Sequence, residues 1–221
     1  MLMSDFLTLP VQILLYSIPI ITAITLHEVA HGYVARLFGD DTAQRQGRIT
    51  LNPIKHIDPV GTLLVPLVMY LMTLMTMGAG LIFGWAKPVP VDASRMRNPK
   101  QDMFWVALAG PASNLIMMVL WALLWAQAHH GGAQGSAALA DMAMMGIRIN
   151  IILMALNLLP IPPLDGSRMV SSILPHQWAL NYARIEPYGF FILILLMISG
   201  YLGVLMQPFI SFAQQVLTWF L

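Results

Sequence analysis

The chain has 221 residues, 58% hydrophobic and 10% charged, with a formal net charge of +1 and a mean hydropathy of +0.72. Soluble domains carry about 25% charged residues, so a soluble fold is excluded, and a charge this close to neutral gives nucleic acid no footing as a partner. With no cysteine, disulfides, thiolate zinc sites and catalytic thiols are excluded as well.

Several uncharged runs reach the roughly 20 residues that a helix needs to cross a bilayer. The composition therefore predicts an all-α polytopic membrane protein with about four to six membrane helices, built as a single domain over 1–221. Its core is expected at 20–172, with a C-terminal helix and tail at 187–221. The opening "MLMSDF" has no basic n-region and no small-residue cleavage site. The segment from Phe6 to Phe38 is accordingly expected to be a retained helix, ended by Gly39.

Inside that apolar segment lies "ITLHEVAHGYVA", residues 24–35. His27 and His31 are four apart, so on a helix they stand one turn above each other on one face and can reach one metal ion. Glu28 can lean toward a water on that ion without being a ligand. This is the H-E-x-x-H arrangement of zinc hydrolases. The alternative, two histidines lining a helix contact and Glu28 paired with a cation such as Arg36, is weakened by the cost of ionisable groups in a membrane helix. Arg36 marks the interface, which puts His31 and His27 roughly 8–14 Å inside it.

The loop 38–58 carries Arg45, Arg48 and Lys55, and the loop 84–101 carries Lys87, Arg95, Arg97 and Lys100. Basic loops belong in the cytoplasm, whereas a simple crossing by 60–83 would put these two on opposite sides. Residues 60–83 are therefore expected to re-enter, bent at Pro66 and at Gly78 and Gly80. A short β element is expected at 84–91. Firm spans follow at 102–127 and about 139–159, the latter stopped by Pro160, Pro162 and Pro163 in "NLLPIPPLDG". A fourth span starts near Pro187, and Pro208 is expected to break it from the tail.

A catalytic zinc takes three protein ligands and leaves one position open, and the third ligand must come from outside the first helix. His56, Asp58, Asp92, Asp102, His129, His130 and Asp165 are candidates. Asp165 is preferred because it follows an unwound, proline-rich stretch that can turn a short carboxylate back into the protein, with Gly166 giving the backbone room.

"HEVAH", "AGPASN" at 109–114 and "NLLPIPPLDG" at 157–166, in this order, resemble the site-2 protease family of intramembrane zinc metallopeptidases. "LNPIKHIDPVGT" and "FGWAKPVPV" are similar to its compact bacterial branch, and no periplasmic domain is inserted. The resemblance covers about residues 20–172. It implies that His27, His31 and Asp165 hold one Zn²⁺ per chain, that Glu28 is the catalytic acid/base, and that Asn157 steadies the substrate carbonyl or oxyanion. Gly110, Pro111 and Asn114 belong to the family's helix-packing and active-site motif, and Asn114 is placed with the substrate-binding residues. The implied substrates are transmembrane or membrane-anchored proteins in the bacterial plasma membrane, cut near the cytoplasmic face. Because Pro88 and Pro90 lack N–H groups, an extended 84–91 would present the N–H groups of Lys87, Val89 and Val91 on the other edge, where an unwound substrate could add as a strand. The rival reading is a metal-ion or proton transporter, since buried His, Glu and Asp also mark ion pathways.

Overall fold

A computed structural model describes residues 3–77, 84–130 and 136–220. The helices in chain order are α1 (Met3–Leu37), the one-turn α2 (Thr42–Arg45), α3 (Val65–Met77), α4 (Pro99–His130), α5 (Ser136–Asn157), α6 (Asp165–Ile173), α7 (His176–Ala183), α8 (Glu186–Ile198) and α9 (Tyr201–Leu217). The bounds of α1, α4 and α5 match those expected from the sequence within a few residues.

Two helices among the described residues are long and apolar enough to cross a bilayer, Pro99–His129 and Ala137–Asn157. The α7–α8 pair adds a third if its 61° bend lies within one span. The expected count of four to six membrane helices therefore goes beyond what the structure supports. Helix α5 also carries the exposed charge of Arg148.

Helix α4 is the centre of the assembly and packs against α5, α1 and α6. Met118 and Ala122 of α4 meet Ile147 and Met154 of α5 and Ala213 and Val216 of α9 in the largest buried cluster. In apolar surroundings, helix association rests on close van der Waals contact, which small residues permit. Ala122 and Ala213 are fully buried at this junction, and the unbranched methionines fill the gaps between them.

The segment expected to re-enter begins with a π-helical turn, Pro59–Leu64, capped by Asp58, whose Oδ1 accepts from the N–H groups of Val60 and Gly61. It continues as α3; its predicted bends at Gly78 and Gly80 lie outside the described residues. Its two ends meet. Trp85 N–H donates to Gly61 O at 3.0 Å, and Thr62 Oγ1 donates to Trp85 O at 2.8 Å. Residues 61 and 85 thus sit side by side, whereas a crossing would separate them by about 30 Å.

Two expectations are corrected. No strand occurs among the described residues, and 84–92 runs without regular structure, so the β element at 84–91 does not form. Its N–H groups find side chains and isolated carbonyls instead of a neighbouring strand. The break in the last hydrophobic stretch falls at Gly200 and not at Pro208. Gly200 adopts φ +78°, a left-handed geometry that favours glycine, while Pro208 is accommodated inside α9.

Candidate metal centre

Helix α1 places His27 and His31 one turn apart, facing α4. The third group arrives through the turn 158–164. Leu158 and Leu159 still bond back to Met154 and Leu156, Ile161 N–H reaches Leu159 O, and Leu164 N–H reaches Ile161 O. The chain thereby doubles back, and Asp165 becomes the first residue of α6. A side chain at position 166 would put its Cβ 2.3 Å from Leu158 O and 2.5 Å from Leu159 O, so only glycine lets the turn close this tightly.

His27 Nε2 and His31 Nε2 lie 3.1 Å apart, and Asp165 Oδ2 lies 3.1 and 3.2 Å from them. All three residues are buried. The protonation of the rings follows from their other nitrogens. His31 Nδ1 is 2.7 Å from Val106 O, which can only accept, so Nδ1 carries the proton. For His27 the polarity runs along a chain of amides. Asn150 Nδ2 donates to Gly146 O, so its Oδ1 accepts from Asn114 Nδ2 at 2.9 Å. The Oδ1 of Asn114 therefore faces His27 Nδ1, 2.6 Å away, and accepts from it. Both neutral rings then point the lone pairs of Nε2 at the same spot as Asp165 Oδ2, a buried oxygen with no hydrogen-bond donor.

Three acceptors in mutual contact repel unless a positive charge sits among them. Tetrahedral zinc, with Zn–N and Zn–O distances of about 2.0–2.2 Å, needs donors about 3.3–3.5 Å apart. The observed triangle is within a few tenths of an ångström of that, so the residues present fit the ion. Each ring nitrogen remote from the site is held by an acceptor, the outer-shell support that metal-binding histidines need.

The sequence did not show why position 110 is glycine. A Cβ there would lie 2.4 Å from His31 Nε2 and 2.6 Å from His27 Nε2. Val106, Gly110 and Asn114 are spaced four apart on α4 and form one stripe against the two histidines. The outer two hold the rings, and the middle one leaves the space between them clear. Spacing alone could have flagged this stripe, but a backbone carbonyl such as that of Val106 leaves no mark in a sequence.

Glu28 is half-buried beside His27, and its Oε2 accepts from Val89 N–H at 2.7 Å. This changes the reading of the proline-rich segment. The N–H of Lys87, a second expected substrate donor, is bonded to His56 O at 2.9 Å. Val91 packs its side chain against the cluster of Ala35, Met96 and Val106. Two of the three N–H groups expected to meet substrate, those of Lys87 and Val89, are thus bonded within the protein, one to a loop carbonyl and one to Glu28, so 84–91 does not present the expected free donor edge. Asn114 is likewise fully buried and engaged with His27 and Asn150, so it holds the His27 ring and does not lie open to substrate. Asn157 sits at the last turn of α5, where its Nδ2 donates to Leu153 O at 3.0 Å.

The other candidate ligands are used elsewhere. Thr50 O engages His56 Nε2, Asp58 caps the π-helical turn, Asp92 accepts from Ser94, and Asp102 accepts from Asn98 N–H. His129 stacks on Trp125, and the His130 side chain lies outside the described residues.

The sequence profile described as peptidase family M50 matches residues 127–200. The chain is 37% identical over 214 residues to "Putative zinc metalloprotease YwhC" of Bacillus subtilis, covering 95% of this chain and 92% of that protein. It is 29% identical to the Rip2 protein of Mycolicibacterium smegmatis, which carries the same description, covering 80% of this chain and 64% of Rip2. The Rip2 protein of Mycobacterium tuberculosis strain H37Rv is 30% identical, over 80% of this chain and 63% of its own length. No solved structure matches.

Proposed function

The chain belongs to peptidase family M50 and is a zinc metalloprotease; from that premise we propose that it is an intramembrane endopeptidase. Its substrates would be transmembrane or membrane-anchored proteins, cut near the cytoplasmic face of the bacterial plasma membrane. The observation that carries this reading is the convergence of three buried lone-pair atoms within 3.2 Å, with the Glu28 carboxylate on the next residue. A transporter would string such groups along a path across the protein, whereas these meet at one point.

His27, His31 and Asp165 would hold one Zn²⁺. The bound ion would supply a polarised water whose pKa falls toward about 7. Glu28 takes a proton from the attacking water as general base and returns it to the leaving amine as general acid. Val89 N–H fixes one Glu28 oxygen, which leaves the other for this transfer. Asn157 would steady the carbonyl oxygen of the scissile bond, once its amide turns from Leu153 O to the site.

Placement near the cytoplasm rests on two features. Lys and Arg cluster in 38–58 and 84–101, and the pairing of residues 61 and 85 keeps those two loops on one side. That pairing also supports a re-entrant 60–83, an arrangement tolerable at membrane depth only against protein.

Reconstitution tests the reading. Purified protein in liposomes with a single-span model substrate should release fragments whose masses place the cut inside the apolar segment, near its cytoplasmic end. Cutting confined to the substrate's soluble domain, or equal cutting of the same sequence as a free soluble peptide, would refute an intramembrane endopeptidase.

A further inference from the structure

Arg48 is buried, 7% exposed, and among the described residues no carboxylate pairs with it. Its Nη2 donates to Lys87 O at 2.8 Å, while its Nε has no partner among the described residues. A desolvated guanidinium with so little compensation is costly, and its one bond falls on the peptide that precedes the segment crossing the catalytic base. Lys87 is held at both ends, its N–H by His56 O and its C=O by Arg48. Two residues on, Val89 N–H meets Glu28 Oε2.

We propose that Arg48 is a positioning residue for the general base: it anchors the Lys87 carbonyl and thereby places the Val89 N–H that fixes one oxygen of Glu28. The proposal rests on the peptidase reading for its catalytic part only.

The packing supports a rigid link. Arg48 N–H bonds to Ala43 O at 2.9 Å, closing the turn that carries the side chain. That turn and Val89 press on the same spot of α1. A Cβ at Gly32 would lie 3.0 Å from Val89 Cγ1 and 3.1 Å from Ala43 Cβ, and Gly32 is one helical turn beyond Glu28. Turn and segment are thus seated together on α1, and Arg48 joins them. A free glutamate has three rotatable side-chain bonds. Tying one oxygen to the backbone removes most of that freedom before substrate arrives, and an error of about 1 Å in placing such a group costs on the order of 100-fold in rate.

The test uses the full-length, zinc-loaded protein in detergent, with Arg48→Met and Arg48→Lys. Two readouts are taken: hydrogen–deuterium exchange of peptides spanning 84–92, and steady-state cleavage of the single-span substrate. The expected result for Arg48→Met is faster exchange across 86–90, unchanged zinc content, kcat lower by about 10- to 100-fold and KM unchanged. Arg48→Lys, which keeps the charge and one donor, should fall between, and added guanidinium should partly restore Arg48→Met. Unchanged exchange, or faster exchange with unchanged kcat, overturns the proposal. Loss of zinc or folding in both variants also overturns it, by showing a general structural role. If the wild type binds zinc but cuts nothing, the peptidase reading fails, and the exchange data alone then decide whether Arg48 holds the segment.

Discussion

Replacing Gly110 with alanine adds one methyl group and should disable the metal centre. The new Cβ would stand 2.4 Å from His31 Nε2 and 2.6 Å from both Cε1 and Nε2 of His27. Non-bonded heavy atoms settle at about 3.5 Å, so something must move by about 1 Å. The rings cannot retreat freely, because Val106 O and Asn114 Oδ1 hold them at 2.7 and 2.6 Å. Nor can α4 back away, because those two anchors lie on α4 itself, one turn either side of position 110. Either response stretches an outer-shell bond, and each such bond is worth about 10- to 100-fold in metal affinity. With both anchors strained, zinc affinity should fall by on the order of 100-fold or more. Competition with a zinc chelator of known affinity measures this directly, and circular dichroism should show the helix content unchanged. Wild-type zinc affinity in Gly110→Ala would refute the idea that this glycine keeps the donor triangle clear.

Other outcomes follow from the same geometry. Asn114→Ala removes the acceptor from His27 Nδ1 and should weaken zinc binding by about 10- to 100-fold, measured by the same competition, while Asn150→Ala, one link further out, should cost less. Asp165→Asn should lose metal while keeping its fold, since a neutral amide replaces the anionic ligand, and full zinc occupancy would remove Asp165 from the ligand set. The half-buried Asp41 is held below its ordinary value of 3.8 by the hydrogen bond from Arg45 and then by the charges of Arg45 and Arg95. A carboxyl lowered in the fold stabilises above its unfolded pKa, and that contribution is lost as pH falls through the folded value. Asp41→Asn should therefore lower the thermal midpoint slightly near pH 7 and match wild type once the pH is well below 3.8. A deficit persisting in acid would show that the charge is not the cause.

The pairing of His27 and His31 was legible because covalent spacing on a helix dictates which side chains share a face. Asp165 was legible because the prolines and Gly166 predict a chain reversal, and that reversal is what brings the carboxylate back. The support around the ligands was hidden for a different reason. Val106 contributes only its carbonyl, and Asn114 could be assigned to His27 only once the α1–α4 contact was known. The proline-rich segment misled for a related reason. Alternation describes an extended strand, which 84–92 does not form, and it says nothing about what takes the N–H groups of Lys87 and Val89. His56 O and Glu28, distant in sequence, had already done so. Pro208 was overweighted as a helix breaker, since Gly200 offers the easier place to turn.

A metal triad and a neighbouring carboxylate divide the work of the proposed hydrolysis, and Glu28→Gln separates the two. The substitution keeps the shape and still offers an oxygen to Val89 N–H, so only the proton transfer is lost. Zinc content and cleavage of the single-span substrate should be measured on the same preparation as wild type. The expected result is equal zinc in both proteins and cleavage by wild type alone. A Glu28→Gln protein that binds zinc and still cuts at the wild-type rate would contradict the account.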